Sequence, residues 1–331
     1  MIDLFTDTNN RAYVHTPELE QALVFEKQQL DFNWRADEML VEQDKHAVLT
    51  DTTPAEKHAL LTILKTFTHY EVRAGGDYWL GRVLNTFAPL EIKRMATMFG
   101  FMETCVHAPF YDTVNKVMFV NDATFYNEYL KDPVLAEHMA FVDEAATGSD
   151  LLLSLATFSL IEGAALYSAF AVLKAFRSNG YNKMPAIANG VNFSERDEAL
   201  HSAGGAWLYH VTRKYGKQAQ GSNWLEDRLY PAVRKLVAHE DHIINLVFEH
   251  GEFCGVNKID MQTWVRERVN HCLKQLHLPR MYDINRSQIS GWFEQSTQGL
   301  TLVDFFDTIP KYQKGYSLEG FKFTELVRVQ Q

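Results

Sequence analysis

Four glutamates in this chain stand in surroundings that would ordinarily exclude charge: Glu71 in TFTHYEV, Glu103 in FGFMETCVH, Glu162 in FSLIEGAAL and Glu198 in SERDEALH. Two of them have a histidine about one helical turn on, His107 after Glu103 and His201 after Glu198. At roughly 100° per residue, steps of three and four residues leave side chains about 60° and 40° apart, so each carboxylate shares a helix face with its imidazole. A lone glutamate on a helix is usually solvated, and a single Glu/His pair arises easily by chance. Six such groups spread over four helices carry far more weight. Burying four carboxylates without partners would cost several kcal/mol each. A pair of divalent cations would offset their charge and leave both imidazoles as neutral ligands. Oxygen donors with some nitrogen and no thiolate favour iron or manganese, whereas structural zinc is tetrahedral and rich in Cys and His. The expected ligands of two metal ions per chain are therefore Glu71, Glu103, His107, Glu162, Glu198 and His201.

The elements that must position these groups read as helices. Glycines (18) and prolines (9) are sparse over 331 residues, and few segments alternate with the period of a strand. A helix is predicted to start at Thr53-Pro54-Ala55-Glu56, where Thr53 can cap, Pro54 suits the first position and Glu56 completes a capping box. It runs toward Asn85, weakened at Gly75-Gly76 by about 1 kcal/mol per glycine. Further helices are expected from Pro89, over 133–147, from about 149, from Ser194, over 224–250 and over 257–276, with 178–193 as a connection. An all-α chain of about eight long helices follows. Helices that project glutamates and Glu-x-x-His pairs inward form the ferritin-like bundle that holds two iron or manganese ions. The expected division is a di-metal helical domain over 1–300 and a C-terminal tail over 301–331, whose Gly, Lys and aromatics form no helical stripe and suit a flexible arm that orders on a partner.

Composition removes several other functions. The net charge is -10, which argues against a nucleic-acid or anionic-membrane surface. Cys105, Cys254 and Cys272 form no CxxC pair and leave an odd count, which suits a reducing, cytoplasmic setting. MIDLFTDTNN lacks the basic and apolar regions of a secretory signal. The stretch 151–176 is apolar and long enough to span a bilayer, but Glu162 lies in its middle. A buried central helix is the better reading.

Arg196-Asp197-Glu198-Ala199-Leu200-His201 resembles the signature of the class I ribonucleotide reductase small (beta) subunit, and similarity extends from about residue 25 to 316. The resemblance implies a protein that generates a tyrosyl radical and passes it to a large (alpha) subunit for reduction of ribonucleotides to deoxyribonucleotides. It implies a homodimer, with iron the expected metal and manganese or a manganese–iron pair also suited. Glu71, His107, Glu162, Glu198 and His201 fall at ligand positions, and Tyr111 falls where the radical tyrosine lies. Leu166 and Phe170 would wall its pocket. Trp34 matches a tryptophan that feeds an electron to the metals, and Asp197 would link the Trp34 indole to His107. In the tail, Tyr312 (or Tyr316) would carry the radical onward.

One departure stands out. The family pattern is Glu-x-x-His, whereas Glu103-Thr104-Cys105-Val106-His107 has one residue more. A π-bulge here would restore the geometry. The rival reading is another ferritin-like di-metal oxidase with no large-subunit partner, which would keep the six ligands but need neither Tyr111, Trp34 nor the aromatic tail.

Overall fold

The computed structural model describes residues 2–6, 15–118, 123–216, 223–284 and 286–295. Helix starts in it follow local chemistry. We number the long α-helical segments α1 (Glu20–Asp31), α2 (Pro54–Val72), α3 (Leu90–Met102), α4 (Ala108–Val117), α5 (Pro133–Thr147), α6 (Leu151–Leu160), α7 (Leu166–Ala175), α8 (Pro185–Tyr215), α9 (Tyr230–Val247) and α10 (Lys258–Gln275). Among the described residues there is no β-strand. Thr53 caps α2 through the expected reciprocal pair: its hydroxyl accepts from Glu56 N at 3.2 Å, and Glu56 Oε2 accepts from Thr53 N at 2.7 Å. Asp132, Asp150 and Asn257 cap α5, α6 and α10 with side-chain oxygens.

Several of these segments join through π-helical turns rather than loops. Arg73–Val83 continues α2, Glu103–His107 links α3 to α4, and Ile161–Ala165 links α6 to α7. The apolar run Leu151–Ala175 is therefore one continuous helical rod, 94% of whose most apolar window is buried. It packs against α5 and α8, with α3 beside α1 and beside the widened Arg73–Val83 segment. This is the central helix expected from its all-round apolar surface. The tail from 301, including Tyr312 and Tyr316, lies outside the described residues.

The expectation of a connection over 178–193 is corrected. Helix α8 begins at Pro185, nine residues before Ser194, behind Met184 in a left-handed conformation (φ 50°). Met-Pro and Asn-Gly are ordinary turn signals, but Pro185 sits at the first helical turn, where its missing N–H costs nothing. Gly190 lies inside this helix, and a Cβ there would overlap the Phe110 ring. The glycine answers to packing, not to a turn.

Gly75 has a similar cause. A Cβ on it would stand 2.8 Å from Glu103 Cβ and 2.5 Å from Thr104 Cγ2, so its bareness lets the Arg73–Val83 segment close on the turn that carries Glu103. Gly75→Ala should destabilise the protein by about 1–3 kcal/mol, as overpacked cores do, read from urea unfolding.

Helix α9 also carries Glu240 into the core, 2% exposed and 3.9 Å from His138 Nε2. Burial raises the Glu240 carboxyl to about 8 and lowers His138 to about 3, so at neutral pH the two face each other uncharged. With its folded value above the ordinary 4.5, Glu240 keeps a proton in the native state that the unfolded chain has lost. Stability then falls by up to about 1.4 kcal/mol per pH unit as pH rises from the ordinary value to the raised one. Glu240→Gln should flatten that decline, measured as unfolding free energy from pH 5 to 9.

Candidate metal centre

The π turns set the directions of the carboxylates. In the segment Glu103–His107 the N–H of Ala108 bonds to Glu103 O, five residues back, and in Ile161–Ala165 the N–H of Leu166 bonds to Ile161 O in the same way. Each turn takes in one residue more than an α turn would. The Glu103-to-His107 spacing of four is thereby accommodated as the sequence suggested, and Glu103 and His107 face each other at 3.1 Å. Glu71 lies in the last turn of α2, two residues before the widened Arg73–Val83 segment begins. Glu198 and His201 lie on the regular helix α8.

All six predicted ligands converge, and none has any exposed surface. They fall into two overlapping groups whose donor atoms lie within 4.8 Å of one another: Glu71, Glu103, His107 and Glu198 in one, and Glu103, Glu162, Glu198 and His201 in the other. Glu103 and Glu198 belong to both. Glu103 Oε1 lies 2.6 Å from His201 Nδ1 while its Oε2 faces His107 Nδ1. Glu198 likewise spans the two rings, at 3.2 Å from His107 Nδ1 and 3.5 Å from His201 Nδ1. Glu103 and Glu198 are thus common to both groups, and each group adds one further glutamate and one imidazole.

Hydrogen bonding argues that these positions suit metal. Both oxygens of Glu71 and of Glu198, Glu103 Oε1, Glu162 Oε2 and His201 Nδ1 are buried without a hydrogen-bond partner. Glu103 Oε1 and His201 Nδ1 lie 2.6 Å apart, but with the ring hydrogen on Nε2 toward Gln29 Oε1 two acceptors face each other there. So many unsatisfied acceptors in one core are far outside what native proteins tolerate, unless a cation takes them.

The imidazoles are oriented from behind. His107 Nε2 donates to Asp197 Oδ2 at 3.0 Å, and the Trp34 indole donates to the same oxygen at 2.8 Å. Asp197 therefore makes both links foreseen for it. Gln29 was not foreseen. Its amide N donates to Asp197 Oδ1 at 3.0 Å and its carbonyl oxygen accepts from His201 Nε2 at 3.0 Å. With Nε2 of both rings committed as donors, each neutral imidazole presents the Nδ1 lone pair to the centre, an assignment that rests on the network. Trp79, also unforeseen, donates its indole N–H to Glu162 Oε1 at 2.7 Å. Nothing in the local text around Gln29 or Trp79 marks them, because each acts across the bundle.

Tyr111 is fully buried, and its hydroxyl has no hydrogen-bond partner. Burial and then the nearby Glu71 carboxylate raise its phenol well above the ordinary range, so it stays protonated. Phe67 packs on its ring at 4.1 Å and Phe110 at 4.8 Å, while Phe170 reaches Phe67 at 5.6 Å and so stands one ring further out than expected. Leu166 is buried in the adjoining helix. Trp34, 3% exposed, stacks on His107 with ring centres 5.8 Å apart.

Without metal, protons take the cations' place. Burial, then repulsion from Glu103, raises Glu71 well above the carboxylate range, and burial with Glu198 does the same to Glu162. Although burial works against it, His107 and His201 hold Glu103 well below that range, and Glu103 in turn raises both imidazoles. Gln29→Leu should leave the His201 Nε2–H buried and unpaired. It should weaken metal affinity by about 10- to 100-fold, measured by titrating metal into the chelated protein.

Comparison with known proteins agrees with this geometry. Residues 11–288 match the family described as ribonucleotide reductase, small chain. A probable ribonucleoside-diphosphate reductase small subunit (048L) of Invertebrate iridescent virus 3 is 25% identical over 308 residues, covering 87% of this chain and 80% of the relative. The corresponding small subunit of Alcelaphine herpesvirus 1 is 25% identical over 186 residues, 54% of this chain and 57% of that one. Among solved structures, the ribonucleotide reductase R2 subunit from Clostridium botulinum superposes with a TM-score of 0.75 at 17% identity, covering 89% of this chain and 98% of that one. A putative class I ribonucleotide reductase from Bacillus halodurans gives 0.74 at 19% identity, over 84% and 99%. With a family match over most of its length and the same helical fold, the chain belongs to the ribonucleotide reductase small-chain family.

Proposed function

We propose that this chain is the radical-generating subunit of a class I ribonucleotide reductase, working on a separate large subunit that binds and reduces the ribonucleotide. The observation that carries this reading is the fully buried Tyr111 phenol in an apolar pocket, four residues beyond His107 and under the electrostatic influence of Glu71. Glu71, Glu103, His107, Glu162, Glu198 and His201 would hold two metal ions. When bound, the metals supply the reduction of dioxygen or a related oxidant, and with it one-electron oxidising power.

The chain's own residues do the rest. Tyr111 would give up an electron to that oxidant and its phenolic proton to the neighbouring Glu71 carboxylate, and the neutral radical is kept from water by Phe67 and Phe110. Trp34 delivers the additional electron through the hydrogen bonds that tie it, by way of Asp197, to His107. Asp197, held by three N–H donors, is fixed in orientation for that transfer. Tyr312, or Tyr316 beside it, passes the radical to a cysteine of the large subunit.

Iron is the proposed metal pair. Manganese suits the same oxygen-rich donors, and the Streptococcus sanguinis relative of this fold (TM-score 0.68, 15% identity) is a dimanganese(II) protein. A homodimer in a reducing, cytoplasmic setting completes the proposal; Cys105, Cys254 and Cys272 are all free thiols.

Addition of ferrous iron and oxygen to the metal-free protein should give a tyrosyl radical signal in electron paramagnetic resonance. Tyr111→Phe should lose that signal while still binding two irons per chain. A signal that survives the substitution would place the radical elsewhere. Removing residues 301–331 should leave the signal intact and abolish turnover with the large subunit.

A further inference from the structure

A second buried tyrosine lies next to the metal centre in sequence but points away from it. Tyr70 precedes Glu71 on α2, so its side chain leaves the helix about 100° around from the ligand. Its hydroxyl makes a short hydrogen bond to Nε2 of His138 on α5. His138 Nδ1 in turn lies 3.1 Å from Nδ1 of His239 on α9. His138 is wholly buried, and His239, at 5% exposure, is the member of the chain nearest solvent.

In the tautomer that gives the phenol an acceptor, the Tyr70 O–H donates to His138 Nε2, the hydrogen of that ring sits on Nδ1 and donates to His239 Nδ1, and the hydrogen of His239 is on Nε2. That arrangement is the one in which a phenolic proton can leave toward His239. No histidine stands on the Tyr111 hydroxyl in this way. Phe67, which packs at 4.1 Å on Tyr111, stands three residues before Tyr70 on the same helix.

We propose that Tyr70 is a second redox-active tyrosine, one that gives an electron to a one-electron oxidant in the core while its phenolic proton passes through His138 to His239. The Tyr70 O–H bond breaks, the electron goes to the oxidant, and the proton goes to His138 Nε2. At the same time the Nδ1 proton of His138 moves to His239 Nδ1. The products are a neutral phenoxyl on Tyr70, a neutral His138 with its hydrogen on Nε2, an imidazolium at His239 and an oxidant reduced by one electron. A returning electron reverses every transfer.

The relay uses both histidines. Burial holds His138 down at about 3 and also lowers His239, so neither ring carries an extra proton at rest, and passing the proton on puts the charge at the ring nearer solvent. Tyr70 then serves as an outlet for oxidising equivalents that do not leave through Trp34, and it draws them away from the ligands. This rests on the radical-generating reading above only for the natural source of the oxidant.

The test uses the full-length Tyr111→Phe protein loaded with redox-inert zinc(II), oxidised by flash-generated tris(bipyridine)ruthenium(III) and freeze-quenched after exchange into D2O. High-field paramagnetic and deuterium double resonance should detect a phenoxyl radical with one strong, exchangeable deuteron coupling. Adding Tyr70→Phe should remove that species, and adding His239→Leu should lower its yield. Site-specific 3-fluorotyrosine at position 70, which perturbs packing little, should shift its hyperfine pattern. A deuteron-coupled radical that survives Tyr70→Phe, keeps its pattern with the fluorinated residue, or never forms would overturn the assignment, and a yield unchanged by His239→Leu would overturn the relay. Tyr111 and redox-active metal are both absent from this measurement, so its failure and the failure of the Tyr111 reading are separate results.

Discussion

Four carboxylates with no exposed surface and few partners for their oxygens are the constraint to which the rest of this molecule responds. Left as anions they would cost several kcal/mol each, a sum comparable to the whole stability of an ordinary domain. The core admits them because protons, in one state, or cations, in another, occupy the space onto which they converge. Much of the surrounding architecture serves that convergence: the widened turns that aim Glu103 and Glu162, the bare Gly75 that lets two helical segments close, and the shell of Asp197, Gln29 and Trp79 that holds imidazoles and carboxylate in place.

The same shell ties a buried tryptophan to the centre. A single oxygen, Asp197 Oδ2, accepts from both the Trp34 indole and the His107 imidazole, so the proposed electron donor and a candidate metal ligand share one anchor. Gln29 extends that anchor to His201, which means that the two imidazoles are not independent. Movement at one is felt at the other through one amide and one carboxylate. Tyr111, by contrast, is isolated from hydrogen bonding and sits among rings.

Much of this was legible in the sequence, and the reasons are physical. Glutamates inside apolar helices and the Glu198/His201 step identify a face, and the extra residue between Glu103 and His107 already signals a widened turn. The capping box at Thr53 and the buried character of Leu151–Ala175 follow from equally local rules. What could not be read acts across the bundle. Gln29, Trp79 and Phe67 come from helices remote in sequence, and their partners are set by packing. The start of α8 was misread because Met-Pro and Asn-Gly look alike whether a loop or a tightly packed helix surrounds them; only the Phe110 ring against Gly190 tells the two apart.

The widened turn at Glu103–His107 also bears on how such chains are to be aligned. An added residue absorbed inside a helix leaves no loop to mark it, so a gap-averse alignment of distant relatives would slip by one position here. It would then set Thr104, which has no carboxylate, against an acidic residue. At such sites homology has to be traced through the bonding of the backbone, because equal counting from a neighbouring landmark finds the wrong partner.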